Sequence, residues 1–440
     1  MIAQKAIHIP LERVRVLERK LYRAAKDNPQ RRFGALYDKV YREDVLMQAW
    51  FNVRANRGAA GIDEQTIVTV EQYGVQRLLG ELAEQLRQKR YRPMPVRRVY
   101  IPKPDGRKRP LGIPTVADRI VQAAVKIVIE PIFEAGFADF SHGFRPKRSA
   151  HDALRDIYKY INFGCHWVVD ADLKSYFDTI PHDKLIKLVC LRITDKSVVK
   201  LLVLWLEAGV MEDGMITRNP VGTPQGGVIS PLLANVYLNA LDQLWVRNHL
   251  GDRRNDAHLI RYADDFVILC AKDPEKYLGI AKQRLDRLGL TLNSEKTKIK
   301  HVKEGFDFLG HTFRLAQSRV TGKTKCFYYP SRKAVASVSR NVKEFIRHQQ
   351  HRNLPDLVAD LNPILRGWGN YFRTGNAKEI FRQVDAYVTY SLCIMLRKKY
   401  KKRSKGWRDH PPSWFYENHK LYCLRTSTTG NQSDVVRYGR

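Results

Sequence analysis

The sequence feature that most constrains this chain is the stretch LIRYADDFVILC at residues 259–270. Two apolar runs rich in β-branched and aromatic residues flank Ala263, Asp264 and Asp265, a pattern that predicts a hairpin with acids at its tip. Two adjacent carboxylates at such a tip repel one another, and a divalent cation between them removes that repulsion. The pair therefore indicates a Mg²⁺ site. A solvated turn is the other interpretation, because Asp is a common turn residue.

A second acidic segment, WVVDADLKSYFD, occupies residues 167–178. Its first three residues favour a strand, on which alternation places Asp170 and Asp172 on one face. A strand ending in acids beside an acidic hairpin would give the three-carboxylate cluster that two-metal phosphoryl transfer needs. In that chemistry one ion activates a 3′-hydroxyl and the other stabilises the leaving pyrophosphate. We therefore expect two Mg²⁺ ions, with Mn²⁺ able to substitute for them.

Charge is the strongest global signal. The chain holds 77 Lys and Arg against 45 Asp and Glu, which leaves a net charge of +32 and a pI near 9.9. The resulting positive electrostatic potential favours binding to an anionic partner, and we favour nucleic acid over an anionic membrane surface. We expect no membrane span and no signal peptide. Six scattered cysteines without a Cys-x-x-Cys pair are typical of a reducing compartment, and we expect the cytoplasm.

Residues 91–125 carry six prolines before position 116, which exclude a helix there and favour extended strands. The run Pro104-Asp105-Gly106 predicts a turn between two paired strands. Cations along both arms could close over a triphosphate, or could simply form a solvated basic edge that prevents aggregation. They are Arg97, Arg98, Lys103, Arg107, Lys108 and Arg109. A buried helix should follow and end at Pro131.

Two further loops precede predicted helices. Arg145, Lys147 and Arg148 lie in a basic loop, where they could meet a phosphate backbone, before a helix capped near Ser149. The stretch GTPQGGVISPLLANVYLNAL at residues 222–241 combines a glycine-rich loop with a long helix. It lacks the Gly-Lys-Ser/Thr ending of a P-loop, so a mononucleotide cradle of that type is excluded.

The order of elements from about residue 167 onwards is strand, helix, hairpin, helix, strand, which is that of a split βαβ palm. From about residue 330 the apolar spacing becomes wholly helical, and it predicts three helices with a break at Gly367 and Gly369. The last 35 or so residues are basic and lose periodicity, which indicates an appended nucleic-acid contact.

Several blocks occur in a defined order: a basic hairpin, DLKSYFD, PQGG, YADD, LNSEKTK and FLGH. Together they resemble the reverse transcriptases of group II introns, and NPILRGWGNYF at residues 362–372 resembles the start of the maturase domain of that family. The resemblance covers roughly residues 35–400. It implies an α+β, right-hand polymerase with fingers and a ferredoxin-like palm, followed by a helical thumb or maturase domain. The implied boundaries are a basic N-terminal helical extension at 1–35, fingers and palm at 36–320, thumb at 325–405 and a basic DNA-binding tail at 406–440.

The resemblance also assigns roles to residues. The metal-binding catalytic acids would be Asp172, Asp264 and Asp265, and Asp172 is selected over Asp170 because it stands five positions before Phe177. Residues that match the nucleotide-binding positions of the family are Lys103, Arg109, Gln225 and Lys296. A bulky ring at Phe177 beneath the sugar would reject a ribose 2′-hydroxyl and so favour dNTPs. The alternative for Phe177 is an ordinary core residue.

The implied function is an RNA-directed DNA polymerase that binds group II intron RNA, assists its splicing and copies it into DNA during retrohoming. Its partners would be intron RNA, an RNA template, a DNA target or primer and dNTPs, with the oligomeric state left open. The chain has too few residues beyond 410 for an RNase H or HNH domain, so we expect the compact form without an endonuclease. Two alternatives stand beside it: an RNA-binding splicing maturase without polymerase activity, and an intron-like reverse transcriptase recruited to host defence.

Overall fold

The structure is a computed structural model that describes residues 2–102, 106, 108–212, 215–217, 222, 226–252, 256–318, 320–401 and 410–427. The chain divides into two compact units. Unit 1 comprises Met1–Ser149, Ala171–Ile268 and Glu275–Lys298, and unit 2 comprises Ala150–Asp170, Leu269–Pro274 and Ile299–Arg440. No helix within the described ranges is long and apolar enough to cross a membrane.

The helices of the described residues are, in chain order, α1 (Ile2–Asp27), α2 (Tyr37–Val40), α3 (Glu43–Ala55), α4 (Ile67–Tyr73), α5 (Val75–Arg87), α6 (Val116–Glu134), α7 (Ala150–Asn162), α8 (Tyr176–Thr179), α9 (His182–Cys190), α10 (Lys196–Glu207), α11 (Ser230–Arg247), α12 (Pro274–Leu288), α13 (Arg332–His348), α14 (Leu354–Phe372), α15 (Lys378–Lys399) and α16 (Pro412–Asn418). The strands are β1 (Val96–Pro102), β2 (Lys108–Ile113), β3 (Trp167–Ala171), β4 (Val210–Glu212), β5 (Met215–Thr217), β6 (Ala257–Tyr262), β7 (Asp265–Cys270), β8 (Lys298–His301), β9 (Phe306–Phe308), β10 (His311–Gln317) and β11 (Thr324–Pro330).

The palm sheet has the strand order β6-β7-β3-β8. In the chain, β3 is followed by α8, α9, α10, β4 and β5 and then by α11, β6, β7, α12 and β8. Apart from the elements inserted between β3 and α11, this is the βαββαβ order of a ferredoxin-like fold. Helix α12 has Pro274 as its first residue and is followed by Gly289 at φ +77°, where a left-handed residue ends the helix. The α+β class and the ferredoxin-like palm predicted from the sequence are confirmed.

The basic hairpin is formed by β1 and β2, which pair antiparallel with Val99 opposite Leu111. It belongs to a second sheet, ordered β2-β1-β4-β5. Along β1 the side chains change from buried at Val96 to exposed at Pro102, so the apolar base anchors the hairpin and its basic end is in solvent. The prediction of two strands and no helix before residue 116 is confirmed; the predicted turn residues Pro104 and Asp105 lie outside the described residues.

The prediction that the following helix stops at Pro131 is wrong, because α6 continues to Glu134. A proline inside a helix costs about 3 kcal/mol, since it removes one hydrogen bond and crowds the preceding turn. Ile132 and Phe133 are 0% and 6% exposed, and burying side chains of that size stabilises by about 1.5–3 kcal/mol each. The carbonyl of Pro131 still accepts the Ala135 N–H. Packing therefore outweighs the local penalty.

The predicted break at Gly367 and Gly369 is also wrong, since α14 runs through both glycines to Phe372. Glycine costs about 1 kcal/mol within a helix. Leu361, Leu365 and Phe372 are buried on either side of this pair, and their burial offsets that cost. The connection between α14 and α15 falls instead at residues 373–377.

The C-terminal segment is better packed than its irregular sequence pattern predicts. Phe415, Leu421 and Leu424 are 0%, 5% and 0% exposed and join the apolar core formed by α13, α14 and α15. Part of the described stretch 410–427 therefore packs into the core of unit 2, and the DNA-binding role of this segment stays a prediction. Residues 402–409 and 428–440 of the predicted tail lie outside the described residues.

Candidate active site

The acidic turn joins β6 to β7. Strand β6 ends at Tyr262 and β7 begins at Asp265, so Ala263 and Asp264 form the turn itself. Ala263 has φ +58° and is 8% exposed, so the turn combines a left-handed backbone with a small buried side chain. Asp264 is half-buried and Asp265 is exposed. The predicted hairpin with acids at its tip is confirmed.

Asp172 directly follows β3, and backbone hydrogen bonds fix this part of the chain. The Asn293 N–H donates to the Asp172 carbonyl at 2.8 Å, and the Lys174 N–H donates to the Thr291 carbonyl at 3.0 Å. The Lys296 ammonium lies 3.1 Å from a carboxylate oxygen of Asp172, and the two side chains are 51% and 30% exposed. Solvent screens an ion pair of this kind, so it contributes at most about 1 kcal/mol. It nevertheless provides Asp172 with a positive partner.

Electrostatics link the two acidic segments to the basic hairpin. The pKa of Asp264 is raised, chiefly because burial disfavours its carboxylate and also because Asp172 repels it, whereas Arg109 and Arg261 act to lower it. Asp264 therefore lies within electrostatic range of both Asp172 and the exposed hairpin cation Arg109. The oxygens of Asp172, Asp264 and Asp265 do not all lie within 4.8 Å of one another.

The donor set fits a divalent cation. Asp172, Asp264 and Asp265 offer hard carboxylate oxygens, which are the ligands that Mg²⁺ and Mn²⁺ prefer in proteins. A cation beside Asp264 would also offset the cost of burying its charge. These three residues are the ones that would hold such ions.

Phe177 lies on the single turn α8, five positions after Asp172. Its neighbour Tyr176 is buried, donates to the Ala234 carbonyl at 2.6 Å and meets the Phe177 ring edge-on at 5.3 Å. Phe177 itself is half-buried. Tyr176 thus anchors the turn in the core, while part of the Phe177 ring remains accessible.

The remaining nucleotide-binding predictions are only partly described. Lys103 and Gln225 lie outside the described residues. Two described residues near Gln225 in sequence have close contacts. The Gly222 N–H donates to the Ile180 carbonyl at 2.9 Å, and a Cβ at Gly226 would lie 2.5 Å from the Gly112 carbonyl oxygen. Since real Cβ atoms essentially never come that close, Gly226 permits a contact with β2 that a larger residue would not.

The three predicted template-binding cations differ in their surroundings. The Arg145 side chain is 3% exposed, pairs with Glu134 at 2.7 Å and donates to the Ala138 and Ser141 carbonyls. The hydrogen bonds of its guanidinium are therefore made to residues of unit 1. Lys147 is exposed, and Arg148 is 29% exposed and pairs with Asp139 at 2.7 Å.

Lys147 and Arg148 line a groove of about 690 Å³ whose other basic residues sequence analysis did not single out. Arg15, Arg19 and Arg23 stand at intervals of four along α1, and this spacing was the available signal. Arg261 was not among the predicted site residues, and it is fully buried beside the acidic turn. Its signal was a charged residue inside the otherwise apolar stretch that precedes the two acids.

Comparison with known proteins gives a consistent result. Residues 101–313 match the family model described as "Reverse transcriptase (RNA-dependent DNA polymerase)", and residues 335–411 match the "Group II intron, maturase-specific domain". Protein YkfC of Escherichia coli is 36% identical over 340 residues, which span 69% of this chain and 89% of YkfC.

Two intron proteins are also similar. The group II intron-encoded protein LtrA of Lactococcus lactis is 32% identical over 376 residues, 70% of this chain and 62% of LtrA. The putative COX1/OXI3 intron 2 protein of Saccharomyces cerevisiae is 26% identical over 437 residues, 81% of this chain and 51% of that protein. The chain therefore belongs to the family of group II intron-encoded reverse transcriptases and maturases, whose members are RNA-directed DNA polymerases that use divalent metal ions.

Proposed function

We propose that this chain copies RNA into DNA by two-metal nucleotidyl transfer at the acidic turn. The observation that carries the proposal is the electrostatic interaction of Asp264 with both Asp172 and the hairpin cation Arg109, next to the exposed Asp265. Phosphoryl transfer depends mainly on positioning and on compensation of charge, and carboxylates beside cations meet that requirement.

In this proposal Asp172, Asp264 and Asp265 hold two Mg²⁺ ions. When bound, the metal supplies activation of the primer 3′-hydroxyl and charge compensation at the pyrophosphate. Arg109 lies on the exposed end of the basic hairpin and contacts the triphosphate, together with Lys103 from the same hairpin.

Three further residues complete the nucleotide site. Phe177 presents its half-buried ring to the sugar and rejects the 2′-hydroxyl of a ribonucleotide. Gln225 lies beside the incoming nucleotide, and Lys296 exchanges its contact with Asp172 for the leaving phosphate. An ammonium that is 51% exposed is free to make that exchange, because its present ion pair is weak.

We also propose that the chain binds group II intron RNA, assists its splicing and then reverse-transcribes it at a DNA target, which is retrohoming. The match to the maturase-specific domain supports the splicing role. The groove between α1 and residues 146–148 supports contact with a template or intron backbone through Lys147, Arg148 and the α1 arginines. Arg145 is omitted from this set because its side chain is buried.

Primer extension tests the polymerase proposal. The purified chain is incubated with poly(rA)/oligo(dT), dTTP and Mg²⁺, and its effect on splicing of a group II intron RNA is measured in parallel. We expect RNA-templated extension that requires the divalent cation. A chain that promotes splicing and extends no primer would contradict the polymerase proposal and favour the RNA-binding maturase.

A further inference from the structure

A fully buried ion pair lies directly behind the acidic turn. Arg261 on β6 and Asp242 on α11 are both 0% exposed. They form a bidentate ion pair, in which Nε of Arg261 donates to Oδ1 of Asp242 at 3.0 Å and Nη2 donates to Oδ2. Burying two charges is costly, so such a pair is weak evidence for stability alone. Its location calls for another explanation.

The third guanidinium nitrogen of Arg261 reaches the turn itself. Nη1 donates to the Ala263 carbonyl at 2.8 Å and to Oδ1 of Asn235 at 2.9 Å. Ala263 is the left-handed residue that precedes Asp264, so its carbonyl orientation sets the direction in which the Asp264 backbone leaves the turn. Asp242 and Asn235 orient the Arg261 guanidinium, and the guanidinium in turn orients the Ala263 carbonyl.

The same network holds a second segment against the turn. Nδ2 of Asn235 donates to the Gly143 carbonyl at 2.8 Å, and the His142 N–H donates to the Arg261 carbonyl at 2.8 Å. A Cβ at Gly143 would lie 2.2 Å from the Ala263 nitrogen and 2.8 Å from the Tyr262 carbonyl carbon. Only glycine permits this approach, which leaves the turn no room to move towards Gly143.

We infer that Arg261, Asp242, Asn235 and Gly143 form a positioning device for the Asp264 carboxylate. None of the four is a catalytic residue. They act through the backbone of Ala263, and the arrangement explains why a charged pair is buried at this place. The inference rests on the proposed function, because it gives Asp264 the role of a metal ligand.

Gly143→Ala tests the device most directly. The added methyl group must displace the turn by about 1 Å to reach ordinary contact distance, and a displacement of that size can lower turnover about 100-fold. We expect this loss in primer extension, together with about tenfold weaker Mn²⁺ binding measured by electron paramagnetic resonance. Affinity for RNA should stay close to that of the wild type, and the melting temperature should fall, because overpacking costs about 1–3 kcal/mol.

Gly279→Ala is the matched control. Gly279 lies within α12, in the same unit, and nothing lies within 4 Å of a Cβ placed there. Wild-type extension and Mn²⁺ binding are expected for this variant. Equal values for Gly143→Ala and Gly279→Ala would overturn the inference.

Asn235→Ala keeps the test informative if Gly143→Ala does not fold. It removes the hydrogen bonds to Arg261 and Gly143 and leaves the ion pair with Asp242 intact. We expect the Mg²⁺ concentration for half-maximal extension to rise several-fold, with activity restored at high Mg²⁺. A lower melting temperature with unchanged Mg²⁺ and Mn²⁺ dependence would show a structural role only and would overturn the inference. A wild type without extension activity would instead refute the proposed function.

Discussion

Two fully buried polar side chains, one in each unit, have different surroundings. In unit 1 the fully buried Arg261 has a buried carboxylate partner and donates to the backbone of the acidic turn. In unit 2 the fully buried His311 has a pKa lowered to about 4, chiefly because burial disfavours its charged form. It packs within 6 Å of the rings of Tyr328, Tyr371 and Phe372. The Arg261 charge is buried with hydrogen-bonding partners beside the proposed site, whereas the His311 ring is buried among aromatic rings. We therefore expect substitutions at the acidic turn to change extension and substitutions at His311 to change stability.

The largest effect is expected from the acids of unit 1. Asp264→Ala and Asp172→Asn should each lower primer extension by several orders of magnitude, because metal positioning supplies most of the catalysis. RNA binding should be nearly unchanged, since neither residue lines the α1 groove that is proposed to contact RNA. Extension rates and filter-binding affinities measured on the same preparations provide the check. Full extension activity in either variant would contradict the site assignment, and parallel loss of RNA binding would show that the acids are not required for extension alone.

The second prediction concerns stability in unit 2. A histidine has a pKa of about 6.5 when unfolded, and His311 has a pKa of about 4 when folded. Below pH 6.5 the unfolded chain therefore takes up a proton that the folded chain does not, and stability falls as pH is lowered to about 4. The full difference corresponds to about 3 kcal/mol, and it is regained above pH 6.5.

Hydrogen exchange measures this effect locally. The protection of the β10 and β11 amides, corrected for intrinsic exchange, is compared at pH 7 and pH 4.5. His311→Asn cannot titrate, so its protection should depend less steeply on pH than that of the wild type. His348→Asn changes an exposed histidine and should behave as the wild type does. An unchanged pH dependence in His311→Asn would mean that His311 is not the group responsible.

Discrimination against ribonucleotides in unit 1 should change by a smaller factor. Phe177→Ala or Phe177→Val opens space for a 2′-hydroxyl, and an apolar pocket discriminates against one hydroxyl by about 100-fold at most. The ratio of rNTP to dNTP incorporation in primer extension should rise by up to that factor. Phe163→Ala removes a phenylalanine ring that is 73% exposed and serves as the control. If the ratio is the same in Phe177→Ala and the wild type, the ring is a core residue and not a gate.

Local patterns predicted those elements whose signals lie within a few residues. The proline that begins α12, the glycine after it and the acids at the β6–β7 turn are all visible in short stretches of sequence. The helix end predicted at Pro131 and the helix break predicted at Gly367 are wrong, because burial of apolar side chains in the folded core outweighs the helix-propensity cost of these two residues. In both α6 and α14, burial of one helix face therefore outweighs the low helix propensity of single residues.

The candidate site shows the same division. The acids could be proposed from sequence, since their chemistry is local, and their role as metal ligands stays a prediction. Arg145 could not be assigned correctly, because its partner Glu134 lies on α6 and only the folded chain brings the two together. The contact of Arg261 with Ala263 likewise depends on orientation by Asp242 and Asn235 from α11, which no spacing in the sequence reveals.

The smallest effect is expected from the basic end of α15 in unit 2. Arg397, Lys398 and Lys401 are exposed and lie at or just beyond the last turn of this helix. Replacing all three by Gln should weaken RNA binding and reduce the slope of log affinity against log salt by about 0.7–0.9 for each phosphate that the variant no longer neutralises.

A second variant, in which Lys187, Lys196 and Lys200 of unit 1 are changed to Gln, loses the same number of exposed cations and controls for net charge. A slope that falls equally in both variants would show that only the overall field matters, and an unaltered slope would mean that the α15 cluster does not touch the backbone. A fall confined to the α15 variant, with extension on poly(rA)/oligo(dT) at low salt retained, would establish that the binding surface of unit 2 can be changed without disturbing the acids of unit 1.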